Sequence, residues 1–102
     1  MMNIKLIKAP TKSFLEMMFA NIRASDRKRV GDDQFGAVGL VQAKLIDLYW
    51  AADIAEKAST VQTALVMGNC PQHIQMLAIF GKQMAVRTAL DKIQESRKKI
   101  EI

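Results

Sequence analysis

Between Val38 and Met67 apolar residues recur in alternating steps of four and three, at Val41, Leu45, Leu48, Ala52 and Ala55, and Ile54, Ala58, Val61 and Leu65 continue the stripe one row over. A stripe that drifts in this way follows the 3.6-residue period of a straight helix rather than a strict heptad. Within residues 38–67 Gly39 is the one glycine, there is no proline, and strong helix formers dominate. The pattern therefore predicts a helix over 38–67. Past it, Ile74, Leu77, Gly81, Met84 and Thr88 form one row and Met76, Ile79, Val86, Leu90 and Ile93 another, which predicts a second helix over 71–101. Gly68 stands where a left-handed C-cap belongs and Pro71 where a first-turn proline belongs, with Asn69 or Cys70 able to start the second helix. Each segment is about 45 Å long at about 1.5 Å per residue. Equal lengths and a short turn predict an antiparallel hairpin, with Gly81 and the alanines at 52, 55 and 58 allowing close approach.

Ahead of the hairpin, Leu15, Phe19 and Ile22 share a face, and Ser13 with Glu16 matches a capping box, so a short helix is expected over 13–23. Ile4 and Leu6 alternate with polar neighbours, but a lone strand needs a partner edge, so residues 1–12 read as an extended arm. Residues 24–37 read as a polar loop. The expected fold is all-α: one helical domain over 1–102, a long antiparallel hairpin with a short N-terminal helix, completed as a helical bundle by oligomerisation.

The remaining features refine this picture rather than replace it. A chain of 102 residues with 50% hydrophobic and 25% charged residues has globular composition and the length of one domain. Its longest apolar run, Leu48 to Ala52, is far too short to span a bilayer, and nothing at the start reads as a secretory signal. With a single cysteine, which excludes an internal disulfide, these features predict a cytoplasmic protein. The net charge of +5 is concentrated at the two ends of the chain, which permits an acidic partner.

Candidate chemistry is sparse. Cys70 and His73 lie three apart, but there is no second cysteine or histidine to complete a zinc site and no third group to orient a Cys-His pair. Asp32 and Asp33 lack EF-hand spacing, and the glycines match no phosphate loop. No metal, no cofactor and no catalytic activity are expected. The opening from Ile4 to Val30, an apolar stretch leading into "ANIRASDRKRV", resembles the first strand and helices of small acetyltransferases. The later strands and pyrophosphate loop that such a fold requires are not found, so the resemblance implies no activity.

Two functional readings follow. The first is a non-catalytic protein-binding module, an adaptor, small chaperone, inhibitor or assembly component. Two and a half helices leave a wide apolar arc uncovered, with Phe14, Met18, Tyr49, Trp50 and Ile54 as candidate interface residues. Its partner is a second copy, most simply a twofold dimer, or another protein. The alternative is a nucleic-acid-binding regulator, in which Arg23, Arg27, Lys28 and Arg29 contact phosphates.

Overall fold

A computed structural model of the chain describes residues 2–31, 35–67 and 74–100. The fold is α/β, which corrects the all-α expectation. In chain order the elements are β1 (Asn3–Lys8), α1 (Lys12–Ala20), α2 (Ala24–Val30), β2 (Ala37–Lys44), α3 (Leu45–Ala58), β3 (Gln62–Val66), β4 (Ile74–Gly81) and α4 (Gln83–Ile100). The four strands form one antiparallel sheet in the order β1-β2-β4-β3.

Neither long helix of the expected hairpin exists. Segment 38–67 holds most of β2, then α3 and β3, and segment 71–101 holds β4 and α4. The physical reason lies in the two central strands. β2 pairs with both β1 and β4, and β4 with both β2 and β3. Helices cover both faces of the sheet, so Ala37, Val38, Gly39 and Val41 on β2 and Leu77, Ala78, Ile79 and Phe80 on β4 are all buried, whichever face they point to. A strand buried on both faces reads as a continuous apolar run without period-two alternation. That run was absorbed into the helical periodicity of its neighbours. The helix starts only at Leu45, directly after β2, and stops at Ala58, with Ser59 as its C-cap.

The arm over 1–12 is also corrected, because residues 3–8 form edge strand β1, paired with β2 in the register Asn3↔Gln42 to Lys8↔Ala37. The polar loop over 24–37 contains α2 and the start of β2. The cap of α1 is Thr11, whose hydroxyl accepts the Phe14 N–H at 3.1 Å, so Ser13 lies inside the helix rather than at its cap.

The sheet divides the core in two. Odd-numbered β2 and β4 residues, Ala37, Val41, Leu77 and Ile79, join Leu48, Ala51 and Ala55 of α3 and Val86, Ala89, Leu90 and Ile93 of α4. Even-numbered ones, Val38, Ala78 and Phe80, join Met18 and Ile22 from α1 and its end, and Val30 of α2. Gly39 sets how closely α4 lies on β2. A Cβ there would stand 3.1 Å from both Leu90 Cδ2 and Val86 Cγ1. On the opposite face Phe19, Phe35 and Phe80 make a three-ring cluster with centroids 5.2 to 6.4 Å apart.

Gly68, Asn69, Cys70, Pro71 and His73, which carried the expected turn and the Cys-His pair, lie outside the described residues, as do Asp32 and Asp33.

Candidate assembly surface

The five residues expected at an interface are not brought together. Phe14 and Met18 belong to α1 and face the sheet, with Met18 only 6% exposed and Phe14 half-buried beside it. Trp50 and Ile54 are half-buried against the cluster beneath α3 and α4, on the other side of the sheet. Tyr49 alone projects outward, at 61% exposure, and it shares its outer face with Ile46, three residues before it and 75% exposed.

The other large exposed apolar side chains among the described residues are Met17 (64%), Met67 (54%) and Met84 (71%). Topology divides the five between two ends of the sheet. Ile46 follows Lys44, which pairs with Ile74, while Met67 follows Val66, which pairs with Met76. Both residues therefore lie just past the same sheet end. Met17 joins them through Asn21, whose side-chain amide donates to the Met17 carbonyl at 2.9 Å and whose own carbonyl accepts the Met67 N–H at 2.6 Å. Met84 lies at the opposite end, beyond Gly81. There a groove of about 840 Å³ runs between the start of β3 and the start of α4, lined by Val30, Phe35, Val61, Phe80, Met84 and Ala85 among others.

The two edges of the sheet differ. Register along β3 turns the backbone groups of Thr63, Leu65 and Met67 away from β4. Two of these outward groups are taken up by the α1–α2 corner: the Met67 N–H by the Asn21 carbonyl, and the Thr63 carbonyl by the Arg29 guanidinium. At the other edge, no described group hydrogen-bonds the outer side of β1, and exposed Lys5 sits mid-strand. A lysine on an edge strand opposes strand addition, because an added strand would have to desolvate or repel its charge.

The basic segment is the N-cap and body of helix α2, and three of its four cations serve the fold. Asp26, buried to 8% exposure, accepts from Arg23 Nε at 3.2 Å and from Arg29 Nη2 at 3.3 Å. Arg29 also donates to Gln62 Oε1 at 3.1 Å and stands 3.9 Å from Glu56, whose carboxylate accepts the Thr63 hydroxyl. Arg27 lies 3.8 Å over the Phe19 ring and donates to the Gly31 carbonyl at 2.6 Å. Lys28 is exposed. These guanidinium groups are held in place by intramolecular partners, which a string of charges in the sequence does not disclose.

Among the described residues no group of three or more side chains is placed to hold a metal ion, and no helix is long and apolar enough to cross a membrane. Among the described residues the surface offers exposed apolar side chains, the groove beside Met84 and a guarded sheet edge. No family model matches the chain, and no curated protein does. Solved structures do. The GrpU microcompartment shell protein from Pectobacterium wasabiae is 34% identical, with a TM-score of 0.73 over 90% of this chain and 99% of that one. The GrpU shell protein from a Clostridiales bacterium is 27% identical, with a TM-score of 0.69 over 94% of this chain and 92% of that one. The chain belongs to this family of microcompartment shell proteins. Its structural neighbours are assembly components, consistent with a non-catalytic assembly role.

Proposed function

We propose that the protein is a non-enzymatic building block of a microcompartment shell, associating with copies of itself. The observation that carries this reading is the 34% identity to a shell protein over 99% of that protein's length. Shell formation sets a geometric condition that refines the expected dimer. A twofold pair uses one self-complementary patch and then closes, whereas a continuous layer requires each copy to make at least two distinct contacts. The distribution of exposed apolar side chains suits this condition, since they occupy two separate ends of the sheet rather than one arc. Strand addition at β1 is the less favourable route, given Lys5 on that edge.

Light scattering over a range of protein concentration, followed by negative-stain electron microscopy, tests the reading. The expected result is species many times the 11.4 kDa chain mass, forming closed rings or layers. A protein that stays monomeric up to high micromolar concentration would overturn it.

A further inference from the structure

The two edges of the sheet are finished differently, and the open one is basic. The Ala9 N–H donates to the Gly36 carbonyl at 2.9 Å, one step beyond the Lys8↔Ala37 pair. In an antiparallel ladder, pairs that exchange hydrogen bonds alternate with pairs that do not. Asn3, Lys5 and Ile7 therefore turn their backbone groups toward β2, while Ile4, Leu6 and Lys8 turn theirs away from the sheet. The same alternation turns Thr63, Leu65 and Met67 outward on β3, where Asn21 and Arg29 meet it. On β1 the outward N–H and C=O groups have no partner among the described residues. Such a row is a template for another extended segment.

Side chains decide which segment fits. Ile4 and Leu6 pack toward the cluster beneath α3 and α4, and Ile7 toward the one beneath α1 and α2. By that alternation Lys8 shares the face of Ile4 and Leu6, and Lys5 lies on the opposite face. Both are exposed, as are Lys12 at the start of α1 and Lys44 at the end of β2, and none of the four has an ion-pair partner among the described residues. Neither β1 nor β2 holds an acidic residue. A second copy's β1 would bring lysines to lysines, and like charges set opposite one another are destabilising. We propose that the outer edge of β1 accepts an extended acidic segment of a different protein as a fifth strand of the sheet. Main-chain bonds to Ile4, Leu6 and Lys8 hold the segment, and its carboxylates meet Lys5 on one face and Lys8 on the other. The lysines thus act as a filter: they reject neutral or basic strands and admit acidic ones. This partner does not depend on the shell role.

The probe is a fluorescein-labelled peptide of alternating glutamate and valine, about eight residues long and so able to span β1. Fluorescence anisotropy with the wild-type protein should show saturable binding, and amide exchange at Ile4, Leu6 and Lys8 should slow when the peptide is bound. Two changes separate strand pairing from plain charge. Methylating the peptide nitrogens that face β1 removes donors and keeps every carboxylate. The double variant Lys5→Glu, Lys8→Glu reverses the charge of the edge at exposed positions, with circular dichroism confirming its fold. Each change should weaken binding by about tenfold or more, and a lysine-valine peptide should prefer the double variant to the wild type. Absence of saturable binding, or an unchanged affinity of the double variant, would overturn the proposal. So would equal affinity of the methylated peptide, which would reduce the contact to attraction between charges.

Discussion

The guanidinium of Arg29 on α2 bonds the backbone carbonyl of Thr63 at the outer edge of β3, so a side chain from one helix closes the edge of the sheet it packs on. The same residue reaches Asp26, Gln62 and Glu56. Arg29→Ala should therefore cost about 1 to 2 kcal/mol, the range for losing a charged hydrogen bond whose donor is partly solvated. Urea denaturation measures this as a lower midpoint at unchanged slope. Arg29→Lys should recover only part of the loss, because an ammonium lacks the fork whose Nη2 serves Thr63 and Asp26 while Nη1 serves Gln62. An unchanged midpoint in both variants would mean that the edge is closed by other means.

Gly39 is where α4 seats on β2. In Gly39→Ala the new methyl group would press on Val86 and Leu90 from 3.1 Å, and both are buried. Overpacking of this kind costs about 1 to 3 kcal/mol. The thermal midpoint should fall accordingly, and shrinking the partner in a Gly39→Ala, Leu90→Val double variant should return part of it. Additive losses would place the strain elsewhere.

Trp50 and Tyr49 are adjacent in sequence and should separate in function. Trp50 packs against the core, so Trp50→Ala should lower the unfolding free energy by about 2 to 4 kcal/mol through lost burial. Tyr49→Ala should leave stability within about 0.5 kcal/mol, as is usual at an exposed site, and weaken assembly instead. Lys44→Ala should change neither. Parallel melts and sedimentation runs on the three variants decide the matter, and equal effects of Tyr49 and Lys44 on assembly would count against the outer face of α3 as an assembly contact.

Arg23, Arg27 and Arg29 are engaged by Asp26, Phe19, Gly31 and Thr63. The double variant Arg27→Ala, Arg29→Ala should accordingly lower the melting temperature rather than alter affinity for a generic DNA duplex. Fluorescence anisotropy at several salt concentrations checks this. Duplex binding that falls steeply with salt, and less steeply in the variant, would restore these side chains to a phosphate-binding role.

The sequence by itself determined a good deal that is local. Helical periodicity through Leu48, Ala52 and Ala55 lies within α3, and alternation at Ile4 and Leu6 lies within β1. The sequence did not disclose β2 and β4. Val38 to Val41 and Leu77 to Phe80 are apolar at every step, and such a run fits a buried helix or a doubly covered strand equally well until its neighbours are known. Ser59 and Thr60 were the one local sign that the 38–67 segment breaks, and a strand follows within two residues.

Only the tertiary structure decided which apolar residues reach the surface. Periodicity places a side chain on a face of its own element, but exposure depends on what packs against that face. Met18 is spent on the sheet while Met17, its neighbour, is left in solvent, and Trp50 turns inward while Tyr49 turns out. The fate of the arginines is non-local for the same reason, since Arg29 meets Thr63 across 34 residues of chain. That contact exists because the sheet order brings β3 to an edge where α2 covers it, and no pattern within either segment encodes the meeting.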